Sequence, residues 1–260
     1  MEPAGLAVGI VALASLFNNA VDCFEYVRLG RAFGVNFQTS SLKLGIARLR
    51  LSRWGESVGL AGDINSAQSI QQASGLLEDV AGAETLLSQI MVLFANAEGI
   101  SKEYKSGSAG PDANLAILDV ATDMGPSGQS LHAKMRALAI KRQNNTPLRQ
   151  KARWALYEER SFKELIKDVT DLVDGLVRLF PAVREDQRRL CRAEASAIGS
   201  KDCFSALEEV TAQQDKDLNQ ALVEALLSRE QQTPSFNNYN TKIGQQVGTL
   251  HQSGNPVFNF

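Results

Sequence analysis

The sequence predicts an all-α protein: a multi-helix bundle of about eight helices, followed by a disordered, amyloid-prone C-terminal tail. Three observations carry this. Apolar residues recur at helical spacing in successive segments, as in Leu86, Leu87, Ile90, Leu93, Phe94 and Ala97, or Leu165, Ile166, Val169, Val173 and Leu176. Helix start and stop signals punctuate those segments. Composition then changes abruptly at Gln231. The expected division is a helical domain over 1–229 and a tail over 230–260.

Composition is that of a soluble protein, 44% apolar and 22% charged over 260 residues. A formal net charge of −2 excludes nucleic-acid binding driven by overall charge. Cys23, Cys191 and Cys203 are odd in number and widely spaced, which suits reduced thiols in a cytosolic protein better than a disulfide framework.

The first helix is expected from about Ala4 to Leu29, stopping at Gly30. No charge occurs from Pro3 through Val21, and Leu6, Val8, Ile10, Val11, Leu13, Leu16 and Phe17 make it apolar almost all round. Such a helix belongs in a core or in lipid. Its length sits at the spanning threshold of about 20 residues. It therefore suits a core in one state and a bilayer in another. Glu2 where a signal peptide needs positive charge, and Asn18-Asn19 where it needs small residues, argue against secretion. No other uncharged run approaches spanning length.

A second helix is expected from Thr39 or Ser40 to Trp54-Gly55, with Leu42, Ile46, Leu49 and Arg53 on one face. A third runs over about 65–78 and a fourth over 83–104. Leu115 to Val120 reads as a helical turn or a short strand. A helix follows over 129–143, and Thr146-Pro147 gives the next start signal. Ser161 and Glu164 form a capping-box pattern for the helix that Pro181 stops. A charged helix over 182–198 and one long helix over 202–229 complete the bundle. Two stretches lack acids: Arg28, Arg31, Lys43, Arg48, Arg50 and Arg53, then Lys134, Arg136, Lys141, Arg142, Arg149, Lys151 and Arg153. Each reads either as a solvated basic face or as a surface that approaches anionic lipid.

No catalytic, cofactor or metal site is expected. The two histidines, His132 and His251, lie far apart in sequence, and there is no P-loop, no GxGxxG and no CxxC. The tail carries a different chemistry. Asn237, Asn238, Tyr239, Asn240, Ile243, Gly244, Gln245, Gln246, Val247, Gly248, Asn255 and Phe258 combine low charge, amides and β-formers, the pattern of stackable cross-β segments. A merely disordered polar tail is the alternative.

Three blocks carry a family resemblance: Ala14–Gly34 (ASLFNNAVDCFEYVRLGRAFG), Ile46–Val58 (IARLRLSRWGESV), and Lys151–Tyr157 (KARWALY) with the helix after it. They resemble, in order, the HeLo domain, the fungal prion-inhibition and propagation domain of HET-s-type proteins. The resemblance implies an all-α bundle with a small β-hairpin around 115–125. It also implies a membrane-directed, pore-forming cell-death executioner in fungal non-self recognition (heterokaryon incompatibility). The implied partners are further copies of the chain (a dimer, then an oligomer), anionic membrane lipids, and an NLR-like receptor whose matching amyloid motif templates the tail. The implied location is cytoplasmic at rest and the plasma membrane on activation. The tail departs from the family pattern, because it lacks two long, charge-bearing repeats. Asn237–Gly248, shorter and richer in Asn and Gln, instead resembles another fungal amyloid signalling motif, and Gln246-Val247-Gly248 also resembles a RHIM core, so no β-solenoid is carried over. The alternative function is a non-enzymatic scaffold, or an inhibitor that co-assembles with a related pore-former; the first helix would then be permanently core.

Overall fold

The computed structural model describes residues 3–61, 77–107, 116–143, 153–198 and 201–232. Among them the chain forms nine α-helices and two short strands. In order these are α1 (Pro3–Tyr26), β1 (Val27–Leu29), α2 (Phe37–Ser57), α3 (Leu77–Gly107), α4 (Val120–Asp123), α5 (Pro126–Lys141), β2 (Trp154–Leu156), α6 (Glu159–Leu179), α7 (Arg184–Ile198), α8 (Lys201–Gln214) and α9 (Lys216–Gln232). A 3-10 segment over Arg31–Asn36, kinked at Gly34 where φ is +42, leads into α2, and a 3-10 turn over Pro181–Val183 leads into α7. The all-α bundle is as the sequence predicts. The tail motif, residues 65–76 of the helix expected over 65–78, and the Thr146-Pro147 start signal lie outside the described residues; Leu77 and Glu78 belong to α3.

The bundle is organised around α2, which is apolar on two sides. Ala47, Leu51 and Trp54 join a core cluster with Ile10, Leu13 and Phe17 of α1, Leu87, Ile90 and Phe94 of α3, and Val169, Val173 and Leu176 of α6. Leu42, Ile46 and Leu49 face a second cluster, with Leu131 and Met135 of α5, Cys191 and Ala195 of α7, Leu207 of α8 and Leu218 and Leu222 of α9. A helix apolar on more than one side must have neighbours all round, and α2 finds them. Gly59 ends it with φ +83, donating its N–H to the Glu56 carbonyl at 3.1 Å.

Four local expectations are corrected. The first helix ends at Tyr26 rather than Leu29, because Val27–Leu29 pair in parallel with Trp154–Leu156. The hairpin implied around 115–125 is not formed. Ile117 instead bridges Gly30 on the other side of β1, and Asp119 caps α4 by accepting from the Ala121 N–H at 2.7 Å. Ser161 is not an N-cap: α6 starts two residues earlier, the Ser161 hydroxyl donates to Glu158 at 3.2 Å, and Glu164 pairs with Arg160 at 3.0 Å. The single helix expected over 202–229 is two, broken at Asp215, whose carboxylate accepts from the Leu218 N–H at 3.2 Å and starts α9.

Candidate functional site

The site is the seat of α1. The uncharged sequence that makes this helix apolar all round gives it two unlike faces once packed. Ile10, Leu13 and Phe17 turn inward and are essentially fully buried, whereas Val11 is 50% exposed on the outer side. Leu16 is partly buried against the same core. The side chains of Leu6 and Val8 lie outside the described residues. Phe17 meets Trp54 edge-on with ring centroids 6.2 Å apart, and Trp54 meets Phe180 at 5.8 Å. Gly55 makes this approach possible: a Cβ there would lie 2.2 Å from two carbons of the Phe17 ring. Near the other end of the helix, Phe24 packs edge-to-face on Phe94 of α3 at 4.7 Å.

Polar groups gather at the C-terminal end of α1. Gln143 donates to the Asp22 carboxylate at 2.6 Å and to the Asn18 carbonyl at 3.4 Å. Glu25 accepts from Arg136 of α5 at 2.8 and 3.0 Å, and from Arg48 of α2. Burial pushes the Glu25 carboxyl up, but the hydrogen bond from Arg136 and the charge of Arg48 outweigh it, so it is held below the ordinary carboxylate range. His132 of α5 is shifted down, first by burial and further by Arg136, Arg48 and Arg28, against the pull of Glu25.

Neither basic stretch is the continuous face that the sequence suggested. Arg53 is buried and divided between Glu194 of α7 and Asp215. Arg142 is buried on Glu194 and Glu56, and Arg50 pairs with Asp174. The carboxylates come from distant parts of the chain. Arg53 did carry a signal, since a cation on the Leu42-Ile46-Leu49 face requires a buried partner. Among the described residues one helix is long and apolar enough to cross a membrane by length and composition: α3 over Asp79–Gly107, of whose most apolar stretch a third is buried. A search for uncharged runs misses it, because Glu84 and Glu98 bracket its most apolar turns. All three cysteines are buried and outside any disulfide.

These features define a helical bundle that seats an apolar terminal helix between an aromatic clamp and a set of ion pairs. The HeLo family, described as prion-inhibition and propagation, matches residues 5–210, and the chain belongs to that family. It is 33% identical to heterokaryon incompatibility protein s of Podospora anserina, over 86% of this chain and 75% of the relative. It is 32% identical to heterokaryon incompatibility protein S of the same species over the same shares. A doubly substituted HET-s N-terminal domain superposes with TM-score 0.74 at 32% identity, covering 82% of this chain and 98% of that one. The HET-S N-terminal domain gives 0.75 at 31% identity, over 88% and 100%. None of these matches indicates a catalytic family.

Proposed function

We propose that this protein acts in fungal heterokaryon incompatibility as a membrane-directed, pore-forming executioner of cell death. It rests in the cytoplasm with α1 stored in the bundle. A partner carrying a matching amyloid motif, of the NLR-like receptor kind, templates the Asn237–Phe258 segment and gathers several copies. Ordering the tail beside α9 strains the bundle, and α1 leaves for the plasma membrane.

The observation that supports this reading best is the pair of apolar faces on α1. Ile10, Leu13 and Phe17 fill the core while Val11 stands half-exposed, on a helix with no charge from Pro3 to Val21. A helix needed only for the core has no use for an apolar outer side. In lipid, both faces bury apolar area, at about 1.5–3 kcal/mol per large side chain, which offsets the core packing lost.

Val11→Glu tests the reading. A charge at Leu13 would break the core and abolish activity trivially, whereas the half-exposed Val11 position tolerates a carboxylate in the folded bundle. In a membrane span a carboxylate costs about 2.5–3.5 kcal/mol. The full chain, seeded with fibrils of its own tail, should release dye from phosphatidylserine-containing vesicles, and Val11→Glu should lose most of that release. Full release by Val11→Glu sinks insertion of α1 and moves the weight to the scaffold or co-assembling inhibitor.

A further inference from the structure

Beside the ion pairs of Glu25 lies a cavity of about 190 Å³, between the end of α1, β1, α2 and α5. Its charges do not balance. Arg28, Arg48 and Arg136 line it against Glu25 and Asp119, and Arg153 adds further positive potential at Arg28. Arg28 is half-buried, yet its Nη1 donates to two backbone carbonyls, Glu25 at 3.2 Å and Val27 at 2.9 Å. Among the described residues no carboxylate pairs with it. Arg48 is 6% exposed, and its buried Nε has no hydrogen-bond partner among the described residues. The largely buried Ser41 also lines the space.

An isolated buried cation is costly, and proteins normally pair it. Burial, then Arg153, push the Arg28 guanidinium below its ordinary value, ahead of the opposing pull of Glu25 and Asp119. A guanidinium cluster with a hydroxyl in a cavity of this volume suits a phosphate group, which offers several acceptor oxygens to forked donors. A carboxylate ligand fits less well, because Glu25 already supplies one.

We propose that this cavity binds a phosphate monoester through Arg28, Arg48 and Arg136, and that the bound anion competes with Glu25 for Arg48 and Arg136. The monoester belongs either to a soluble metabolite or to a lipid headgroup. The binding site stands on its own; only the competition with Glu25, and so any loosening of α1, rests on the release reading.

The test uses the full chain in chloride buffer. The chain has two histidines, so their ring resonances are assigned with one His251→Gln variant. Inorganic phosphate and glycerol phosphate should shift the His132 resonance saturably and leave His251 in place. Arg28→Gln should weaken binding about tenfold or more, while Arg160→Gln, at an 89% exposed side chain, should leave it unchanged. If neither the soluble anions nor phosphatidylcholine vesicles doped with phosphatidylinositol phosphate give a saturable shift, the site is overturned. Equal affinity in a folded Arg28→Gln overturns it too. Should Arg28→Gln not fold, the wild-type response of His132 against His251 still decides. A response to the doped vesicles alone assigns the lipid source; a response to the soluble anions assigns the metabolite. Alkylation of Cys23, buried in α1, should quicken on binding in a Cys191→Ala, Cys203→Ala background. Binding with unchanged Cys23 alkylation overturns the competition and leaves the site standing.

Discussion

Arg53, near the C-terminal end of α2, reaches Asp215 at the junction of α8 and α9 through two hydrogen bonds, Nη1 to Oδ1 at 3.2 Å and Nη2 to Oδ2 at 2.8 Å. The same guanidinium holds Glu194 through three more, from 2.6 to 3.1 Å. All three side chains are at most 2% exposed. Burial disfavours the Arg53 cation, but Asp215 and Glu194 outweigh it and hold the charge in place. One buried group thus ties α2, α7 and the start of α9 together, one residue away from Trp54, which packs on α1.

Removing Glu194 from this group leaves Arg53 with Asp215 alone and Arg142 with Glu56 alone, so two buried cations lose half of their counter-charge. Glu194 serves both Arg53 and Arg142. Glu194→Ala should cost about 3–5 kcal/mol of stability, read from guanidinium unfolding midpoints. Arg160→Ala, which breaks the exposed pair with Glu164, should cost no more than about 1 kcal/mol. Equal small effects would show that the buried group is not stabilising.

The clamp on α1 makes a different prediction. Gly55→Ala puts a methyl into the space of the Phe17 ring, which Trp54 prevents from moving aside. Overpacking of this kind costs about 1–3 kcal/mol. Because the clash is at α1, the alkylation of Cys23 should speed up well below the global unfolding midpoint. A rate that rises only with global unfolding would place the strain elsewhere.

Acid should loosen the same end of α1. The Glu25 carboxyl is held below its ordinary value of 4.5, so its ion pairs contribute fully above that value and are lost as pH falls through the lower folded one. His132 is held below its ordinary 6.5, so its neutral state contributes fully above that value and is lost as pH falls beneath it. In both cases the unfolded chain binds more protons, and stability rises with pH. Stability should fall in two steps on acidification. His132→Asn should remove the upper step and Glu25→Gln the lower one. An unchanged profile in both variants would exclude these groups as its cause.

Cys191 should report only global unfolding. Burial, against the pull of Arg53, pushes its thiol up to about 12, so almost no thiolate forms at neutral pH. Its alkylation by iodoacetamide should therefore track the unfolding midpoint of the whole bundle, separating from Cys23 in Gly55→Ala.

How much of this was legible in the sequence follows the range of the interactions. Helices were visible because their hydrogen bonds and stripes are local. Pro181 ends α6 for reasons contained in a few residues, although the helix expected from Gln129 in fact opens three residues earlier, at Pro126. The break at Asp215 was hidden because Val210 and Leu218, eight residues apart, keep the apolar stripe in phase across it. The β1–β2 pairing was invisible because its partners are far apart in the chain. A basic stretch likewise looked like a surface because Glu25, Glu194 and Asp215 are distant from the arginines that they neutralise.

The sequence by itself determined the fold family and the apolar character of α1, since both rest on residue type and spacing along the chain. Only the tertiary structure decided that Leu13 and Phe17 are enclosed while Val11 is half-exposed, that Arg48 and Arg53 are buried, and that Arg28 faces a cavity with no paired carboxylate among the described residues. Burial and charge compensation are properties of what surrounds a side chain, and on this chain those surroundings come from helices far apart in sequence.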